Sequence, residues 1–320
     1  MNLHKIITIT ALIFSINVSA QLPSSGVSAG SNVLDGVYVK EHIPTKMVVQ
    51  YTHLREADVM WSKRIWRTID LRQKQNHPLY YPLEPISDRM SLWEVIKYGV
   101  LDEGNLTLYD IGVMGDDQFR FPVKPTNGNI NDPDCKKRLA GMFGTPKTVK
   151  KRYGLNDPDV LNGLATPGEV MTDNMGVPIT FDTVVNYESA DIVRYEIKED
   201  WFFDKQRSIM DVRIIGIAPQ VIKVNPESEE IMGFQTLFWL YFPECRYVFQ
   251  NFFVYNPQND AQRMSFDDFF WKREFASYIK KESNIYDRTI SNSWSGVDAL
   301  LESEKIKDEM YKIEHDVWHF

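Results

Sequence analysis

Cysteine is nearly absent: the 320 residues carry two, Cys135 and Cys245, alongside six histidines. So few soft ligands exclude a zinc ribbon or a disulfide-stapled miniature scaffold, since each needs several cysteines or histidines at short spacing. A basic surplus is missing as well, the formal charge being −8. Nucleic acid and anionic lipid attract clustered lysine and arginine, so no nucleic acid is expected as principal partner. Beyond residue 20 there is no long hydrophobic run, because Pro219, Pro243 or charges interrupt the most apolar stretches. No direct membrane span is therefore expected after that point.

Catalytic signatures are equally scarce. The chain lacks the serine-elbow and metalloprotease motifs and any cysteine-nucleophile signature. Gly141 to Thr148 approaches a phosphate-binding loop, but Pro146 stands where a glycine belongs and removes a backbone N–H that would face phosphate. Asn127, Asn129 and Asn131 have the spacing of calcium ligands, yet Asp132 and Arg138 occupy the positions of the required glycine and glutamate. His315 and His319, one helical turn apart, have no evident third ligand. No catalytic residue, cofactor or metal is assigned, and the chain is not read as an enzyme.

What is present is a folding composition, 43% hydrophobic and 25% charged. Lys5, the apolar run Ile6 to Ile16 and the small residues Val18-Ser19-Ala20 read as a cleavable signal peptide over residues 1–20. Residues 21–35 form a flexible Ser- and Gly-rich leader, and residues 36–320 a single domain, with two lobes split near 186 as the alternative division. Export permits a Cys135–Cys245 disulfide, whose long loop would contribute on the order of 4–5 kcal/mol.

The fold class expected is α+β. Val193, Tyr195 and Ile197 alternate with Arg194, Glu196 and Lys198, and the alternation resumes after Asp204-Lys205-Gln206. Period two predicts an antiparallel β-meander over about 192–242, its third strand running from Gly233 to Phe242. Leu106 to Ile111 and Gln118 to Val123 read as a further strand pair. Recurrent Pro, Gly, Asn and Asp over about 124–186 predict a long irregular insertion with one brief helix near Lys136 to Phe143.

Helices are expected to cover the sheet. Leu54, Ala57, Trp61, Ile65 and Ile69 recur at three and four, predicting a helix there, with Val59 and Trp66 as a second apolar line. For two such lines burial of both faces within one fold is the default, and contact with a neighbouring domain or another chain the alternative. Ser91 to Glu94 is a capping box. Ser265 to Asp268 opens an aromatic helix running through Phe275, Tyr278 and Ile279. The last helix starts at Ser295 and carries a seam of Ala299, Ser303, Ile306, Met310, Ile313 and Val317. Trp294, Met310, Ile313 and Val317 join Val59 and Trp66 as candidate partner contacts, although packing of the seam on the chain's own sheet is the default.

Four runs carry a family resemblance: WSKRIWRTIDLRQKQNHPLYYP from Trp61, EDWFFDKQRSIMDVRIIGIAP from Glu199, NPQNDAQRMSFDDFFWKREFASYIKKESNIYDR after Tyr255, and ALLESEKIKDEMYKIEHDVWHF from Ala299. Together they resemble the gliding-motility protein family GldN, also called PorN, of the type IX secretion apparatus. The resemblance implies a non-catalytic periplasmic scaffold held at the inner face of the outer membrane by a lipoprotein of the GldK or PorK type. It further implies self-association within a ring and coupling to the periplasmic domain of a GldM or PorM motor protein. The alternative from another class is a periplasmic glycan-binding module or hydrolase, with exposed tryptophans stacking on sugar rings.

Overall fold

The computed structural model describes residues 47–317 apart from 87–88, 113–116, 124–138, 140, 154–160, 162–165, 167–168, 173–177, 225–229, 258 and 260–261. In chain order, strand β1 (Val59–Asp70) is followed by helices α1 (His77–Tyr80) and α2 (Leu92–Lys97). Next come β2 (Leu108–Asp110), β3 (Phe121–Val123), β4 (Gly144–Lys150), β5 (Thr180–Asn186), β6 (Ile192–Asp204), β7 (Ile209–Val224), β8 (Ile231–Thr236) and β9 (Trp239–Tyr241). The C-terminal part holds α3 (Phe242–Phe249), β10 (Phe253–Val254), β11 (Met264–Ser265), α4 (Phe266–Trp271), β12 (Tyr278–Glu282) and α5 (Gly296–Val317).

The α+β class holds. The largest sheet runs β12-β1-β6-β7-β9-β2-β3, with β8 beside the far end of β7, and every pairing in it is antiparallel. The β6–β7 hairpin forms where the alternation breaks: the Asp204 carboxylate accepts from Gln206 N at 2.8 Å and from Arg207 Nε at 2.7 Å, closing the turn. The expected strand from Gly233 to Phe242 is two strands, β8 and β9, that both pair with β7, and Phe242 begins a helix. Within the expected insertion, β4 and β5 pair as a two-stranded sheet of their own.

The expected helix over Leu54 to Ile69 is instead β1, a central strand between β12 and β6. Trp61, Ile65 and Ile69 are four apart, which puts them on one face of a strand as well as near one face of a helix. Pairing decides the outcome. Lys63 meets Glu282, Arg64 meets Asp200 at 2.6 Å and Arg67 meets Glu199 at 3.1 Å, so each charge finds a carboxylate on a neighbouring strand. The aromatic helix is also shorter than expected. Ser265 and Asp268 form the reciprocal cap, but Arg273 turns left-handed at φ 55° and Tyr278 and Ile279 enter β12.

Both faces of the sheet centre are covered. On one face Ile69, Tyr195, Ile197 and Ile217 join a core completed by α2, α3 and α4, including Phe249, Phe266 and Phe270. Further along the same face, Ile65 and Ile279 pack with Ile306 and Met310 of α5. Between these two apolar clusters sits Glu199, fully buried, whose Oε2 accepts from Trp201 Nε1 at 3.0 Å, Arg67 Nε at 3.1 Å and Arg273 Nη2 at 3.1 Å. Burial lowers the Arg67 pKa, and the charge of Glu199 opposes that effect.

The opposite face carries a ladder. Arg64, Trp66, Thr68 and Asp70 of β1 lie opposite Asp200, Lys198, Glu196 and Arg194 of β6. Trp66 donates to Asp117 at 2.6 Å, Lys198 donates to the Asp117 carbonyl at 2.8 Å, and Lys280 donates to Glu196 at 2.9 Å. Gly216 is required here: a Cβ would lie 2.7 Å from the Phe119 ring, which packs with Trp66 and Trp239. Burial acts to raise the Asp70 carboxyl, but hydrogen bonds from Arg72 and the charge of Arg194 outweigh it and hold the group below its usual range.

Two outcomes are expected. Glu199→Ala leaves Arg67 and Arg273 without their shared counter-charge and costs about 3–5 kcal/mol, seen as a lower urea midpoint. Asp70 has its pKa depressed on folding, so its contribution is complete at neutral pH and is lost as pH falls through the folded value. Urea titrations at stepped pH should therefore show Asp70→Asn losing less stability on acidification than the unaltered chain.

Candidate partner-contact surface

Helix α5 is the longest in the described chain and has two unlike faces. Its inner face buries Ser303, Ile306 and Met310, at the three- and four-residue spacing of a helical stripe. The Ser303 hydroxyl accepts from the Ile279 backbone N–H at 2.9 Å, locking the helix onto edge strand β12. That bond and the apolar contacts with Ile65, Ile279, Trp61, Trp201 and Ile290 fix the helix on the sheet. Lys305–Glu302 and Lys307–Glu304 pairs support its outer surface.

The first turns point a second apolar set at solvent. Val297 is 70% exposed, Leu300 54%, Leu301 63%, and the preceding Trp294 50%. Large apolar side chains at this spacing form a patch rather than scattered exceptions, which marks an interaction surface. Asp298 and Glu302 stand beside these residues in the helix, while Arg194 and Lys280 line the cleft that Leu300 borders.

The sequence-expected contacts separate on this structure. Trp294 lies in the exposed patch, while Met310 is buried beneath α5 and Trp66 is buried with its indole held by Asp117. Val59 is half-buried at the start of β1, and Ile313 and Val317 are half-buried near the end of α5. Cys245 is buried on α3 with its thiol free and raised in pKa by burial, whereas Cys135 lies outside the described residues. Val297, Leu300 and Leu301 were not singled out by periodicity. Their signal is that they fall off the seam yet remain apolar, in a helix that needs polar residues there for solubility.

A cleft of about 600 Å³ opens beside the helix, lined in part by Arg67, Trp201, Arg273, Met310 and Tyr311. Arg67 and Arg273 stand 5.6 and 5.4 Å from the Trp201 ring centroid, and both are committed to Glu199, which makes the charge there structural. Among the described residues no group of three or more His, Cys, Asp or Glu side chains could hold a metal ion. The Walker-like stretch forms strand β4 from Gly144 onward, while Asn127, Asn129, Asn131 and His319 lie outside the described residues. No described helix is long and apolar enough to cross a membrane.

A family model described as gliding motility associated protein GldN matches residues 54–319, a span that contains β1, the whole of the large sheet and α5. No curated protein matches the chain.

The two faces of α5 should separate in a stability measurement. Met310→Ala is expected to cost about 2–5 kcal/mol by opening the buried cluster. Leu301→Ser on the exposed face should stay within about 0.5 kcal/mol of the unaltered protein in the same urea titration.

Proposed function

The chain belongs to the GldN family of gliding motility associated proteins, and from that premise we propose that it is a non-catalytic scaffold of the type IX secretion and gliding machinery. It acts in the periplasm, at the inner face of the outer membrane. Its partners are a lipoprotein of the GldK or PorK type, the periplasmic domain of a GldM or PorM motor protein, and further copies of itself in a ring. The observation that carries this reading is the apolar patch of Trp294, Val297, Leu300 and Leu301 on a helix whose other face is already buried. A helix anchored on one side, with apolar side chains exposed on its first turns, is a ready surface for a second protein.

The physical demands of the role agree with the architecture. A load-bearing component needs its contact surface fixed to its core, and α5 is tied to β12 by the Ser303 bond and to the sheet through Ile306 and Met310. A stable contact typically buries about 800 Å² on each partner, so the patch would form the apolar centre of a larger, polar-rimmed footprint.

Light scattering after size exclusion tests this, using the purified chain with and without the lipoprotein partner produced without its lipid. A stable co-eluting complex is expected, and Leu300→Glu with Leu301→Glu should weaken it by about tenfold or more. A chain that remains a monomer indifferent to that partner would overturn the scaffold reading.

A further inference from the structure

A groove of about 1210 Å³ lies where the chain after β1 meets the segment between β10 and β12. Its frame is rigid. Asn76, fully buried, donates to the carbonyls of Asp70 and Ala276 at 2.8 and 2.9 Å and accepts from the Ala276 N–H at 2.8 Å. Gln75 adds a bond to the Glu274 carbonyl at 3.3 Å. Buried Met264 and Phe269 lie against the groove, and the half-exposed rings of Tyr81 and Tyr255 line it with Pro78, Pro82 and Pro257. The His77 ring meets Tyr81 edge-on at 5.7 Å, and the Arg89 guanidinium lies 5.5 Å over Tyr255.

Among its described residues the charge of this groove opposes that of the molecule. In a chain of net charge −8, they are Lys74, Arg89 and Lys272 against one carboxylate, Glu274, which lies 3.7 Å from Lys272. Among the described residues Lys74 has no carboxylate partner, and Arg89 has its tyrosine ring and backbone contacts. Two of the amides are used internally, Gln75 by Glu274 and Asn256 by the Gln262 carbonyl. What remains for a ligand is mainly cations and apolar ring faces, with the Gln262 side chain and the tyrosine hydroxyls beside them. Cations seek carboxylates, and proline and tyrosine walls receive the side chains of an extended polypeptide.

We propose that this groove binds an extended acidic segment of a partner polypeptide, its apolar side chains against Tyr81, Tyr255 and the prolines and its carboxylates toward Lys74, Arg89 and Lys272. A neutral sugar gains nothing from the cations that a carboxylate-bearing peptide would meet, so the groove suits an acidic peptide better than a neutral glycan. The assignment stands on the groove's own chemistry and does not depend on the α5 surface.

Fluorescence anisotropy of the full chain with a short fluorescein-labelled peptide repeating glutamate, leucine and proline tests it. The acidic peptide is expected to bind, and to weaken as ionic strength rises. Replacing its glutamates by glutamine, or introducing Lys74→Glu together with Lys272→Glu, should each cost about tenfold or more in affinity. Tyr255→Ala should weaken binding while retaining its salt dependence. Both lysines are exposed, so the charge-reversed chain should keep its unfolding midpoint. Absence of binding, equal binding of the glutamine peptide, or tighter binding of a galacturonate oligomer at the same site would each overturn the proposal.

Discussion

The Glu199 carboxylate is the interaction on which most of this molecule depends. It is fully buried on β6 and takes three donors from three parts of the chain: Arg67 on β1, Trp201 two residues further along its own strand, and Arg273 beyond α4. On one side of it lies the large aromatic core and on the other the smaller cluster under α5. A buried ion group adds little net stability over well-packed hydrophobic residues, but losing one member is expensive. Its contribution is therefore better described as alignment: it fixes how β1, β6 and the post-α4 turn meet, and α5 can seat only on that frame.

A similar division of labour recurs at Arg246 and Asp267, a buried pair at 2.7 Å joining α3 to α4. Arg246 also stacks 4.5 Å from Tyr51 and 4.9 Å from Trp271, so the segment leading into β1 is pinned to the helices behind the sheet. In both places an arginine serves two masters, one carboxylate and one or more aromatic faces. Its planar, weakly hydrated head suits that double role.

The sheet was legible in the sequence wherever one residue in two was charged, as from Arg194 to Lys198. It was illegible in β1, because the four-residue steps of Trp61, Ile65 and Ile69 satisfy helix and strand alike and the deciding partners, Asp200, Glu199 and Glu282, are far away in the chain. Helix α3 was hidden because Phe242 and Pro243 look like the end of a strand, although proline in a first helical turn costs nothing. The seam of α5 was readable down to Ser303, Ile306 and Met310. Its exposed patch was not, since periodicity identifies which residues share a face but not whether that face has already found cover. The groove was harder still: its residues come from two distant runs joined through Asn76, a polar residue that carries no pattern.

The ladder between β1 and β6 also works as a proofreading device. Arg194, Glu196, Lys198 and Asp200 alternate in sign along one face of β6, opposite Asp70, Thr68, Trp66 and Arg64. Sliding the strands by two residues, the smallest slip that keeps the same side chains facing the same way, places Arg64 against Lys198 in one direction and Asp70 against Glu196 in the other. Either misalignment sets like charges face to face, and for Asp70 and Glu196 it does so where water reaches poorly. Long antiparallel strands are the elements most prone to settle out of step, and here the charge order along the strands disfavours the wrong alignments.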